Sequence, residues 1–355
     1  MSAAGALALH AWLLFGTGPL QGGADLAPHL RLAQLMGEAP GLRNVYAPAF
    51  HVAIAGVSPW LGASVAVKLF TWLSAAALLF GFRSFQRAAG LPDVAAAIFA
   101  WAPYGFALSW CLPKVEAAGY GIAFAGLGLL LRGRYLAVAC ALGLTFLVHT
   151  AAALFFGLCG AVLALTQRDI RALAALAGGT LLASPLLVSH LAAGCSLPQA
   201  LLFNQGDYLR RAAGWSSLAA WPRLVALAGP IAVACAVAGA RELWSEHRTA
   251  AVLACVVLVL YTNELWLAPF GARTTLDLTR GLTLFAFPAA AAAGVFLAGG
   301  PPRRAVALVS ACALWAVGAS FVALPGSCHR VPVDFERVQT LVLDRCSFHW
   351  KAPRR

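Results

Sequence analysis

The chain has 355 residues, of which 61% are hydrophobic and 11% charged; an average soluble domain carries roughly 25% charge. With a mean hydropathy of +0.80, it has too little polar surface to cover a soluble core and too much apolar content for disorder. The formal net charge of +12 comes from 22 Arg and 3 Lys set against 13 acidic residues. Most of these cations fall in pairs between apolar runs, which is a membrane-topology signal and not a phosphate-binding stripe, so no nucleic-acid partner is expected.

Crossing a bilayer takes roughly 17–25 mostly apolar residues. Such windows occur at 3–19, 62–82, 93–110, 115–131, 135–149, 150–167, 170–190, 222–240, 249–267, 281–299 and 305–324. The first lacks a basic leader and a small-residue cleavage site, so it reads as a retained helix. The sequence thus predicts an all-α, polytopic transmembrane bundle of about 11 spans over residues 1–324, followed by a short tail at 325–355. No internal repeat is evident.

The stretch 46–58 is apolar but short, and reads as an interfacial or re-entrant segment. Arginine placement supports this. With 46–58 outside the count, alternate connections carry Arg83/Arg87, Arg132/Arg134, Arg168/Arg171, Arg241/Arg248 and Arg303/Arg304. The positive-inside rule puts all five in the cytoplasm. The N-terminus then lies inside and the C-terminus outside, in a multi-pass protein expected in a bacterial inner (plasma) membrane. Segments 20–61, 191–221, 268–280 and 325–355 fall on the outer face and hold seven of the 13 acidic residues; Glu116 and Glu264, at span ends on that face, make nine.

Cys140, Cys159, Cys235, Cys255 and Cys312 sit in apolar runs and read as small hydrophobes. No metal-binding Cys/His spacing occurs. Cys328 and Cys346 lie outside and read either as a disulfide or as free thiols.

The first outer loop (20–61) is the richest in signals. Residues 26–36 read as a short amphipathic helix, with Leu26, Leu30 and Ala33 at helical spacing and Gly37 as a stop. Asp25 and His29 stand four apart and share one face. Two readings stand. Asp25 is a helix cap, or Asp25 and His29 together bind a metal or handle a proton. The segment Asn44 to His51 contains Tyr46-Ala47-Pro48, and an apolar half-helix then leads to Pro59-Trp60, a pattern suited to the headgroup layer.

These features together resemble the GT-C superfamily, integral membrane glycosyltransferases that use polyprenyl-phosphate-linked sugars. Asp25, His29 and Arg31 form a D-x-x-x-H-x-R similar to the first loop of oligosaccharyltransferase catalytic subunits. The resemblance is detailed over roughly the first 130 residues and rests on span pattern beyond. It implies a GT-C-like bundle, an active site on the non-cytoplasmic face, and interfacial helices in the first outer loop. It also implies Asp25 and Glu116 as ligands for a divalent cation such as Mg or Mn, with hard oxygen donors. Three departures are visible. There is no Trp-Trp-Asp-Tyr-Gly motif, which argues against asparagine-linked transfer. The second outer loop keeps one acid, in Pro113-Lys114-Val115-Glu116. The large soluble C-terminal domain of those enzymes is not part of this sequence.

Other polar residues gather at the predicted outer face. Lys114 and Glu116 stand at the mouth of the fourth span and read either as functional groups or as a headgroup pair. His149 lies at an outer turn and reads as a helix cap or a substrate contact. Asp207 and Arg210 belong to the most polar outer run, Asn204 to Arg211, suited to a sugar or phosphate or simply to solvent. Glu264 near a span end would cost ~2.5–3.5 kcal/mol at the bilayer centre, so it is placed in a wet cavity. Arg280, with Asp277 nearby, is similar in placement to an arginine that contacts the lipid phosphate in GT-C enzymes; a guanidinium fork suits that role. Lys68, two turns into the second span, is read as snorkelling outward.

The function expected is a membrane glycosyltransferase. Asp25, His29 and Glu116 would be catalytic. Arg31, Lys114, His149, Asp207, Arg210, Glu264 and Arg280 would bind the polyprenyl-phosphate sugar donor and acceptor among membrane lipids. The alternative is a polytopic transporter or lipid flippase, or a non-catalytic assembly subunit. Transporters usually show repeats and midplane charges, neither of which is evident.

Overall fold

The computed structural model describes residues 3–16, 30–35, 48–102, 115–186, 188, 225–226, 229–262, 278–322, 342–343 and 350–351. Among them are twelve helices: α1 Ala3–Gly16, α2 Pro48–Leu61, α3 Ala63–Ala88, α4 Asp93–Ala100, α5 Val115–Leu131, α6 Tyr135–Val148, α7 Thr150–Gln167, α8 Ile170–Leu182, α9 Pro230–Glu246, α10 Arg248–Tyr261, α11 Leu278–Ala298 and α12 Pro302–Val322. Residues 30–35 add a helical turn and a half. In the tail, β1 (Val342–Leu343) pairs antiparallel with β2 (Trp350–Lys351), a small ribbon the sequence reading did not foresee. The architecture is all-α, as expected.

The predicted windows 115–131 and 150–167 coincide with α5 and α7. Others need correction at their ends. The window 62–82 becomes α3, which runs on to Ala88 and takes Arg83 and Arg87 into its last turns. The window 222–240 shifts to α9, which includes Arg241. Arg303 and Arg304 open α12. Arg is a good helix former, so a helix continues past its apolar stretch into the polar layer that an apolar window excludes. By length and apolarity, two described helices suffice to cross a membrane alone, α3 and α7.

The arginine-bearing turns lie together at one end of the bundle. Arg132, between α5 and α6, donates from Nη1 to Ser84 Oγ at 3.2 Å and from Nη2 to the Ser84 carbonyl at 3.0 Å, at the end of α3. Tyr135 donates to Asp169 Oδ2 at 2.7 Å, joining the α5–α6 and α7–α8 turns. Asp169 also caps α8, accepting from the N–H groups of Arg171 (3.0 Å) and Ala172 (3.1 Å). The Tyr135 hydroxyl and these amides hold its carboxyl below the usual range. Gly90, in the α3–α4 turn, faces His247 between α9 and α10. Arg304 stacks over the Phe296 ring at 4.3 Å.

At the opposite end α2 lies across the bundle. Its Phe50 and Ile54 pack with Leu30 and Ala33, with Ala66 and Val67 at the start of α3, with Val115 of α5, and with Val148 at the end of α6. The contacts extend to Phe70 of α3, which Phe50 meets edge-on at 6.1 Å, so α2 packs on the starts of α3 and α5 at that end. Gly62, at φ 76°, makes the bend between α2 and α3 in a backbone region that favours glycine.

Between the ends, helices pack closely. Lipid provides no hydrophobic drive between helices, so small residues and tight contact must hold them. A Cβ on Gly81 would run into the Gly121 carbonyl, and one on Gly121 would run into the Ala77 backbone, so α3 and α5 meet backbone to backbone. Gly239 of α9 meets the Ala292 carbonyl of α11 in the same way. An aromatic joint ties the N-terminal helices to α11. Phe82 stacks on Phe99 at 4.0 Å, and Phe287 meets Phe82, Phe85 and Phe124 at 5.5–6.1 Å. The outside is apolar: Leu136, Val237, Leu314 and Leu181 are each more than 70% exposed. Such a surface suits lipid and would be an aggregation hazard in water.

Candidate functional site at the end opposite the arginines

Helix α5 starts at this end with Glu116 in its first turn, where the helix dipole favours a carboxylate. One turn on, Tyr120 shares its face. Tyr120 is fully buried, and its hydroxyl lies 3.3 Å from the hydroxyl of Tyr261, the equally buried last residue of α10. The Tyr120 ring also faces His149, with ring centroids 6.2 Å apart, and meets Phe155 edge-on at 5.7 Å. A Cβ on Gly119 would lie 2.7 Å from His149 Cβ and 2.8 Å from Ala152 Cβ. The missing side chain therefore lets α7 come up against α5 and brings the imidazole to the tyrosine.

His149 sits between α6 and α7. Its Nδ1 accepts from the Ala152 N–H at 3.2 Å, so it caps α7, and its backbone N–H donates to the Thr145 carbonyl at 2.7 Å. The helix-cap reading of His149 is thus the one the structure shows, through Nδ1, on a residue 6% exposed beside Tyr120. Chemistry at a ligand would have to pass through Nε2.

Arg31 is half-buried in the 30–35 helix and donates to Gln34 Oε1 at 3.3 Å. Leu30, Leu32 and Ala33 are buried, so this turn is enclosed on more than the single apolar face predicted. Lys68 is 8% exposed, enclosed where the sequence reading had it reaching outward. His51, on α2, is fully buried and stacks edge-on with Phe50 at 5.8 Å.

The structure therefore brings Glu116, His149 and the unforeseen pair Tyr120–Tyr261 to one end of the bundle. Arg280 lies in the first turn of α11. Asp25, His29, Lys114, Asp207, Arg210 and Glu264 lie outside the described residues, as do Cys328 and Cys346. Among the described residues no three His, Cys, Asp or Glu side chains gather as a metal site would require. Of the cysteines in apolar runs, Cys159, Cys235 and Cys312 are buried as expected, while Cys140 and Cys255 face outward.

No protein-family model and no curated protein sequence matches the chain. Solved structures do. ArnT from Cupriavidus metallidurans bound to undecaprenyl phosphate aligns over 95% of this chain and 66% of its own, at 16% identity and a TM-score of 0.56. Its apo form aligns over 94% of this chain and 66% of its own, also at 16% identity, with a TM-score of 0.58. The arabinofuranosyltransferase AftD from Mycobacteria aligns over 91% of this chain, at 19% identity and a TM-score of 0.55. This chain spans about two thirds of the length of ArnT and 26% of that of AftD. The chain therefore shares its fold with ArnT and AftD, in line with the fold that the first-loop resemblance implied.

Proposed function

We propose that the protein transfers a sugar from a polyprenyl-phosphate donor to an acceptor on the non-cytoplasmic face of a bacterial inner membrane. The observation that carries this reading is the likeness, over 95% of the chain, to a glycosyltransferase fold solved with undecaprenyl phosphate. Two features support it. The D-x-x-x-H-x-R of the first loop precedes α2, and α2 packs across the same end that holds Glu116 and His149. The arginine-bearing turns gather at the other end, which the positive-inside rule assigns to the cytoplasm.

In this reading the acceptor hydroxyl attacks the anomeric carbon as the sugar–phosphate bond breaks. The proton goes to the Asp25 carboxylate, and the electron pair leaves with the polyprenyl phosphate. His29 and Glu116 position the acceptor and Asp25. Arg280 and Arg210 offset the charge that grows on the leaving phosphate, an electrostatic effect strongest in a site that excludes water. Arg31, Lys114, His149, Asp207 and Glu264 line the pocket for sugar and acceptor. Asp25 and Glu116 offer the hard oxygens that Mg or Mn prefers; a bound cation would add positive charge beside the phosphate.

The test is Asp25→Ala, reconstituted and supplied with a polyprenyl-phosphate sugar. Transfer should fall by about 100-fold or more, the loss typical of a removed acid–base group. Full transfer in the variant would refute the role of Asp25. Counterflow uptake by the wild type without any sugar transfer would refute the enzyme reading itself.

A further inference from the structure

Helix α5 packs mainly on α3, α6 and α7, and α10 mainly on α11, α9 and α7, so the two share α7 as a neighbour. Yet Tyr120 and Tyr261, 141 residues apart, meet hydroxyl to hydroxyl at 3.3 Å, each with no exposed surface. A buried hydroxyl costs free energy unless it is hydrogen-bonded. This contact therefore holds only while the end of α10 stays level with the second turn of α5. The two residues stand next to acids. Tyr120 is one turn from Glu116 on the same face, and Tyr261 is three residues before Glu264.

We propose that the Tyr120–Tyr261 pair is a positioning element. It fixes the end of α10 against the start of α5 and so sets Glu116 for sugar transfer. This rests on the glycosyltransferase reading. The bond contributes one donor and one acceptor, and the hydrogen of the accepting hydroxyl points on from the pair. Because Phe keeps the ring and its contact with Phe155, removing either hydroxyl leaves packing nearly intact and deletes the link.

The experiment compares wild type with Tyr120→Phe, Tyr261→Phe and the double variant, purified and reconstituted in lipid nanodiscs. Two readouts are used. With a polyprenyl-phosphate sugar, each single variant should lose about tenfold or more in kcat, in line with the cost of a displaced reacting group. The donor KM should stay near wild type, and the melting temperature should fall only by what one lost buried hydrogen bond costs, with the protein still folded at the assay temperature. The double variant should be no worse than either single one, because both delete the same bond. The second readout is amide hydrogen exchange, which needs no substrate. Tyr120→Phe on α5 should speed exchange in the last turn of α10, and Tyr261→Phe should speed it in the first turns of α5. Unchanged exchange across the pair overturns the proposal, whatever the activity. Additive losses, or a kcat loss accounted for by a smaller folded fraction at the assay temperature, also overturn it. An inactive wild type with cross-helix exchange effects would keep the link and remove the enzyme reading, so the two failures are told apart.

Discussion

The two ends of the bundle are made of the same material, helix termini, and differ in how the chain passes between them. At the arginine end the connections between helices run from one residue (His247, between α9 and α10) to four (89–92, between α3 and α4). They are closed by local bonds: Asp169 caps α8, Arg132 grips the end of α3, and Tyr135 ties two turns together. At the opposite end longer stretches of sequence separate the named helices: 17–47, 101–114, 183–229 and 262–277. Apart from His149, which caps α7, the polar groups described there are enclosed by helices, with Tyr120, Tyr261 and His51 fully buried. Short capped turns leave nothing over for a ligand. Long connections over a rigid frame are where binding and chemistry collect. Under the proposed function, stability belongs to one end and chemistry to the other, and substitutions should separate the two.

The largest effect should come from the frame that both ends share. Gly121→Leu places a side chain in the Ala77 backbone and should cost more than about 3 kcal/mol, beyond ordinary overpacking because neither backbone can yield. Little folded protein should elute from size exclusion in mild detergent. Gly157→Leu, into open space on α7, should behave as wild type. Next, Glu116→Gln should lower transfer by about tenfold or more while the melting temperature holds, since a half-exposed first-turn carboxylate contributes little to stability and much to a site. A fall in melting temperature without loss of transfer would reverse the comparison.

A smaller effect should mark the arginine end. The carboxyl of Asp169 is held below its ordinary value, first by the Tyr135 hydroxyl. A depressed carboxylate contributes stability above its unfolded value, about 3.9, and loses it as the pH falls through the lower folded value. Tyr135→Phe should therefore melt below wild type at pH 7, with the gap closing as the pH drops past about 4. Transfer should not change. The smallest effect should be Arg168→Gly. Arg168 ends α7 at φ 54°, a conformation glycine adopts at about 1 kcal/mol less cost. A slight rise in melting temperature is expected, read by a thermal scan.

Much of this arrangement is written locally in the chain. Arginine pairs mark one end because charge near a span obeys a simple rule, and the windows at α5 and α7 needed only apolar runs of the right length. Asp25, His29 and Arg31 pointed to the fold family through three positions. Helix ends were less legible: α3 and α9 carry their arginines inside the helix, beyond any apolar window. The enclosure of Lys68 depends on what covers it, which spacing along α3 does not encode. Tyr120 and Tyr261 were invisible as a pair because neither breaks the pattern of its own helix. Their meeting follows from the way two distant segments pack.

The contact between α3 and α5 has a consequence for how this protein tolerates change. Its cross-section there is fixed by two absent side chains, Gly81 and Gly121, with Gly239 serving α9 and α11 likewise. Leu136, Val237 and Leu314 turn outward and can drift among apolar types at little cost. A scaffold defined by a few forbidden substitutions and many permitted ones can keep its shape while nearly all its letters change. Agreement in fold at 16% identity is then an expected outcome of lipid as a solvent.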